Sequence, residues 1–210
     1  TRLLHNYKLV EQLGALLVGM RYYQGFTRKQ QGDSNNGSGP DFAYLNPDDL
    51  ENSDFDFPSR NFSLFAENIF NVSSQFSITP GFRWEHIRTM SEGEYKQTIT
   101  DFAGNIIQRN RFEESTDVGR SFFLTGLGLS YKYHDQREIY ANFSQNFRSV
   151  TFSDLRIDNP NFVLDSAITD EKGYNIDLGI RGKAWKRLTF DMSLFYLRYN
   201  NRIGFLLLAD

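Results

Sequence analysis

The chain contains no cysteine, which excludes a disulfide framework, an iron–sulfur cluster and thiol chemistry. Histidine is scarce: His5, His86 and His134 stand singly along 210 residues. Neither a metal-pair spacing nor a nucleophile elbow accompanies them. The acid pairs Asp48-Asp49 and Glu113-Glu114 fall in polar stretches without convergent partners. No enzyme and no cofactor is expected. A basic excess is also missing, since the formal net charge is −3, and this argues against a nucleic-acid partner. No run approaches the roughly 18 uncharged apolar residues of a membrane helix, and the mean hydropathy is −0.51. A helical membrane protein is thereby excluded. A membrane barrel is not, because its strands hide lipid-facing residues between polar ones. The opening Thr1-Arg2-Leu3-Leu4-His5 lacks the ordered basic and apolar regions of a secretory signal. An exported protein would be represented here by a mature form or an internal piece.

Aromatic residues, in contrast, are plentiful at 16 %, with 20 Phe and 11 Tyr. Their arrangement is periodic. From Asn61 to Glu85 two β-friendly runs flank the polar turn Asn71-Val72-Ser73-Ser74, which reads as a hairpin. Strand side chains alternate with period two. Phe62, Leu64, Ala66, Asn68 and Phe70, with Phe76, Ile78, Pro80, Phe82 and Trp84, therefore form one face. Ser63, Phe65, Glu67 and Ile69, with Ser77, Thr79, Gly81, Arg83 and Glu85, form the other. Pro80 has no N–H to give a ladder, so a bulge is expected there.

The pattern recurs. A strand over about 2–9 and a turn at Glu11-Gln12 lead into a long strand from Leu13 to Arg28. Leu13, Leu16, Leu17 and Met20 also suit a helix, but the later alternation of Val18, Met20 and Tyr22 favours a strand. Phe123 to Tyr133 alternates, turns at His134-Asp135-Gln136-Arg137, and continues through Ile139 to Arg148. Tyr174 to Arg181 alternates again, turns at Lys183-Ala184-Trp185-Lys186 and returns from Leu188 to Leu197. Between the hairpins lie long polar connections near 29–59, 91–119 and 149–170. Asp33, Asn35 and Asp41 in the first lack calcium-loop spacing.

A soluble antiparallel sheet also alternates. Two features favour lipid. Tight turns alternate with long connections, so one end of the sheet carries all the large loops, as in outer-membrane barrels. Compact soluble domains mostly have short loops. In addition, the apolar faces carry no Lys, Arg, Asp or Glu, whereas the opposite faces hold Arg21, Glu67, Arg83, Glu85, Lys132, Arg148, Asp177, Arg181 and Asp191. A lipid-facing Arg or Lys costs about 2–4 kcal/mol at mid-bilayer. The expected fold is all-β: an antiparallel, up-and-down portion of a transmembrane β-barrel, with about eight strands, short periplasmic turns and long extracellular loops. Trp84, Tyr131, Tyr133, Trp185, Tyr196 and Tyr199 sit where interfacial girdles form.

Four motifs in order carry a resemblance. These are Leu64-Phe65-Ala66-Glu67-Asn68 with Ser77-Ile78-Thr79-Pro80-Gly81-Phe82-Arg83-Trp84-Glu85; Ile139-Tyr140-Ala141-Asn142-Phe143-Ser144-Gln145-Asn146-Phe147-Arg148; Glu171-Lys172-Gly173-Tyr174-Asn175-Ile176-Asp177-Leu178-Gly179; and Phe190-Asp191-Met192-Ser193-Leu194-Phe195-Tyr196 ending in Asn201-Arg202-Ile203-Gly204. Over most of residues 60–204 they resemble the barrel of TonB-dependent outer-membrane receptors. Gly19-Met20-Arg21-Tyr22-Tyr23 and Val150-Thr151-Phe152-Ser153-Asp154-Leu155 look closest to the ferric-dicitrate type.

The resemblance implies a bacterial outer-membrane location and a barrel of 22 strands with an N-terminal plug. It also implies import of an iron chelate, ferric citrate or a siderophore, with energy from the TonB complex. With eight strands, no plug and no TonB box, this chain is expected to be a middle portion of such a receptor. The alternative is a stand-alone small outer-membrane barrel or surface adhesin without a transport role. A ferric carboxylate complex is anionic, and guanidinium groups suit it through charge-assisted hydrogen bonds. By strand direction Arg83, Arg88, Arg120, Arg148 and Arg156 lie toward the loop end, and they are the candidate ligand contacts. Each also suits an Arg–Glu pair that merely solvates the wall, as Arg83 beside Glu85 illustrates.

Overall fold

The computed structural model describes residues 1–9, 11–34, 43–151, 168–184 and 188–204. Among them there are eight strands and no helix: β1 Arg2–Leu9, β2 Gln12–Gln31, β3 Ser53–Asn71, β4 Phe76–Thr100, β5 Ile106–His134, β6 Arg137–Arg148, β7 Glu171–Ala184 and β8 Leu188–Asn200. They form one antiparallel sheet whose spatial order is the sequence order. The opening stretch is strand over β1 and the start of β2, as its later alternation requires.

Two compact units divide the residues. The first comprises Thr1–Arg21, Ser63–Glu85 and Ser121–Asp210. Here the register fixes whole rows of side chains across four strands. Leu127, Phe143, Ile176 and Tyr196 lie opposite one another in turn, as do Leu129, Ala141, Leu178 and Leu194. These rows are uncharged and largely exposed: Leu178 is 53 % and Leu194 78 % exposed, and Phe123 on β5 reaches 69 %. The other face carries Ser130, Tyr140, Gly179 and Ser193, then Lys132, Glu138, Arg181 and Asp191, a row of alternating charge. Exposed leucines opposite a polar, half-buried face invert the arrangement of a water-soluble sheet. They suit strands with hydrocarbon on one side.

Pro80 does not mark a net bulge. The N–H of Val72 bonds the Phe76 carbonyl at the hairpin turn, and beyond Pro80 Gly81 still faces Glu67 in the same register. The missing N–H of Pro80 removes one ladder donor without inserting a residue.

Three glycines in this unit are covered by aromatic rings. A Cβ at Gly14 would meet the Tyr7 ring at 2.4 Å, one at Gly19 the Phe65 ring at 2.3 Å, and one at Gly179 the Tyr140 ring at 2.3 Å. Each glycine gives a large ring a place to lie flat on the neighbouring strand.

The second unit comprises Tyr22–Phe62 and His86–Arg120. The connection expected over 29–59 narrows to residues 32–52, because β2 reaches Gln31 and β3 begins at Ser53. Leu50 and Phe55 are buried, and Glu51 beside them accepts bonds from the Asp33 N–H at 2.8 Å and the Asn46 amide at 2.5 Å. Those donors hold the Glu51 carboxyl below its usual range. Lys96 reaches Asp49 at 2.5 Å and keeps the Asp49 carboxyl low in the same way.

The connection expected over 91–119 is corrected more strongly. β4 continues to Thr100 and β5 starts at Ile106, leaving only residues 101–105 as a turn. Polar composition had suggested a loop, but Tyr95, Thr98, Ile99, Ile106 and Ile107 are good strand residues, and a ribbon wetted on both sides needs no apolar face. Asp101 closes the turn by accepting from the N–H groups of Ala103 and Asn105, and Gly104 supplies a φ of +86°.

Candidate ligand-binding site

In the first unit the polar face encloses a cleft of about 670 Å³, whose lining includes Glu67, Gly128, Tyr140, Asn142, Asp177 and Arg181. Small residues on β5 open it and acids dominate its walls. Its one arginine is paired with an acid. Arg181 donates from Nε to Glu138 Oε1 at 2.6 Å, and its guanidinium lies 5.2 Å from the centre of the Tyr140 ring. Tyr140 in turn donates its hydroxyl to Asp191 Oδ1 at 3.1 Å. A lone anion would meet mostly like charge here.

Arg83 lies on the same unit, paired with Glu85, and its Nη2 is 3.4 Å from the hydroxyl of Ser63, which is fully buried. Arg148 faces Glu171 directly across β6 and β7, and donates from Nη1 at 3.1 Å. Glu171, itself buried, also accepts from the Ile203 N–H at 2.6 Å. Both guanidiniums thus neutralise buried carboxylates while remaining partly exposed, at 39 % and 46 % of their side chains.

In the second unit Arg120 donates to Thr89 Oγ1 at 3.4 Å and is half-buried. Arg88 grips Asp117 in a two-pronged ion pair through Nε and Nη2. Thr89 follows Arg88 directly, and Asp117 is three residues from Arg120. These odd separations set the two arginines on opposite faces of the β4–β5 ribbon. Exposure agrees: along β5 it alternates without a break from Thr116 to Leu127, with Asp117 on the exposed side and Arg120 on the covered side. Arg88 and Arg120, both candidates by strand direction, thus point to different sides of that ribbon. Arg156 lies outside the described residues.

A family model for the TonB-dependent receptor-like β-barrel matches residues 2–209. The chain belongs to that family. Three solved structures share its fold, at identities that speak to fold alone. The alcaligin outer-membrane receptor of Bordetella pertussis is 14 % identical with a TM-score of 0.60, over 94 % of this chain and 28 % of that one. The ferric-catecholate import receptor of E. coli K12 is 11 % identical with a TM-score of 0.63, over 94 % and 30 %. The ferric yersiniabactin uptake receptor of Yersinia pestis is 14 % identical with a TM-score of 0.54, over 93 % and 31 %. None of the curated proteins matches the sequence significantly. The chain thus spans about three tenths of the length of these receptors.

For a TonB-dependent receptor barrel, a protein of the outer membrane, the face assignment above has its natural reading: exposed leucines and phenylalanines outward, acids and arginines inward. The residues that sequence reasoning passed over are Glu138, Arg181, Tyr140 and Asp191. Alternation alone puts Arg181 and Asp191 on polar faces, but only the register between strands shows that the four form one connected group.

Proposed function

We propose that these residues form part of the barrel wall of a bacterial outer-membrane receptor importing an anionic iron chelate, of ferric citrate or siderophore type. The rest of the barrel and a plug engaging the TonB complex would be supplied by chain outside the 210 residues. The observation that carries the reading is the segregated sheet, with an uncharged exposed face and a charged, cleft-bearing one. Two of the three structural relatives are named for ferric ligands, a catecholate and yersiniabactin, which supports the ligand class, and the sequence resemblance to the ferric-dicitrate type narrows it.

Arg83, Arg120 and Arg148, with Arg156 from the connection after β6, are the proposed ligand contacts. Chelate carboxylates fit the planar donors of guanidinium groups. Arg88 is left out because it faces the other way. Uptake of radiolabelled ferric citrate, compared with a ferric catecholate, tests this in cells expressing the intact receptor. Arg83→Ala, Arg120→Ala and Arg148→Lys should lower uptake severalfold, and Arg88→Ala should not. Unchanged uptake in all four would remove the assignment.

A further inference from the structure

In the first unit the outward face carries a second cleft, of about 650 Å³, at the turn end of its strands. Tyr7, Gly14, Phe70, Val72, Ile78 and Pro80 line it. Tyr7 stands opposite Gly14 in the β1–β2 ladder. The Asn71 amide bonds the Leu13 carbonyl, and Phe65 lies against Gly19 in the same β2–β3 register, so Phe70 comes level with Gly14 on one face. Gly14 has no side chain and Pro80 a flat one, which leaves a notch between the larger groups. The Tyr7 ring is fixed around this notch. It lies over Gly14, stacks on His5 with ring centres 6.4 Å apart, and accepts from the Asn68 amide at 2.7 Å. Its own O–H has no acceptor among the described residues.

Among the described residues, Glu11 at the mouth is the only charged group in the lining. It sits in the β1–β2 turn with a φ of +111°, a conformation that favours glycine and strains a residue with a Cβ. Its carboxylate has no ion pair or hydrogen bond among the described residues. Glycine would meet the turn's demand without strain, so what glutamate adds there is the charge. Three residues separate Glu11 from Gly14, about 10 Å along the strand, and a phospholipid needs a similar reach from its glycerol ester to the end of its headgroup. The cleft is continuous with the exposed, uncharged rows of the same face, so an acyl chain enters it without leaving hydrocarbon. A carboxylate at the rim pairs with an ammonium and repels an anionic headgroup.

We propose that this cleft binds one phospholipid whose headgroup ends in a primary ammonium, as in phosphatidylethanolamine. An acyl chain fills the notch over Gly14, Tyr7 donates its hydroxyl to an ester carbonyl, and Glu11 pairs with the ammonium. The inference rests on the reading of this face as lipid-facing. The test incubates the intact receptor in detergent with phosphatidylethanolamine, phosphatidylcholine or phosphatidylglycerol of the same acyl chains, and measures lipid retained after affinity capture. Wild type should retain phosphatidylethanolamine best and phosphatidylglycerol least. Glu11→Gln and Glu11→Gly should each lower phosphatidylethanolamine retention about fivefold, the usual worth of one charge at a membrane surface. Glu11→Gly should do so while resisting urea better than wild type, because it relieves the turn. Tyr7→Phe should lower retention of the diester lipid about threefold and leave that of its dialkyl-ether analogue unchanged. Equal retention of the three headgroups by wild type, or wild-type retention in the Glu11 and Tyr7 variants, overturns the proposal. So does a receptor dimer in lipid-free detergent that phosphatidylethanolamine fails to dissociate, since a second copy then occupies the cleft. These outcomes leave insertion into phosphatidylcholine vesicles intact; failure of the wild type to insert overturns the lipid-facing reading itself.

Discussion

Replacing Gly179 by alanine should set Tyr140 adrift, and the effect can be worked out. An alanine Cβ would sit 2.3 Å from Tyr140 Cζ and 2.5 Å from its hydroxyl, where ordinary contact is 3.4–4 Å. The ring has to move by more than an ångström. It then gives up its bond to Asp191, at 3.1 Å, and the Arg181 guanidinium at 5.2 Å. The hydrogen bond is worth about 0.5–1.5 kcal/mol and the cation–π contact about 0.5–1 kcal/mol where water has access. Alanine in place of glycine in a strand returns about 0.5–1 kcal/mol. The net loss is then about 1 kcal/mol. Tyr140→Ala removes the same contacts without the clash, so in that background Gly179→Ala should turn neutral or stabilising. Urea unfolding in detergent, followed by tryptophan fluorescence, should give a double-mutant coupling of about 1.5 kcal/mol. Equal costs for Gly179→Ala with and without the tyrosine would refute the reasoning.

Two further outcomes concern the second unit. Gly93→Ala should pry β3 from β4 there, because its Cβ would meet the Asp54 carbonyl at 2.1 Å and Phe55 Cα at 2.7 Å. Backbone cannot swing aside, so the cost should reach the upper end of the usual overpacking range of about 1–3 kcal/mol. Faster proteolytic cleavage within 43–60 would show it, and wild-type cleavage rates would contradict it. Acid should release the 43–52 segment. Glu51 and Asp49 both have carboxyls held below their usual range, so they stabilise the fold above their unfolded values of about 4.3 and 3.9. That contribution disappears as pH falls through the lower folded values. Hydrogen-exchange protection at the Asp33 and Lys96 amides, relative to an unfolded chain at the same pH, should fall below about pH 4, and Glu51→Gln should flatten the dependence. Wild-type protection that does not change with pH would contradict this.

Much of the architecture was legible from alternation alone. Phe76 to Trp84 and Phe123 to Tyr133 announce their faces because lipid on one side tolerates no charge, a rule local to each strand. Residues 91–119 misled because wetness on both faces erases that signal while leaving pairing intact. The Arg83–Glu85 pair was visible, being two residues apart on one strand. The row through Lys132, Glu138, Arg181 and Asp191 was not, since register belongs to pairs of strands and a single strand's pattern is silent about it. Arg88 shows a different lapse. Ranking arginines by height along the strand ignored parity, although Trp84, four residues earlier, already told which way it turns.

Spatial order equal to chain order has a bearing on how such a receptor can diversify. Each new strand docks on its immediate predecessor, so the entropy of closing a connection depends on that connection only. Doubling its length adds about 0.6 kcal/mol, and the stretch 32–52 therefore costs only about 1.3 kcal/mol more to close than the tip 101–105. Insertions at the far ends are thermodynamically cheap and leave every pairing where it was. New surface can be added there, one segment at a time, on an unchanged frame.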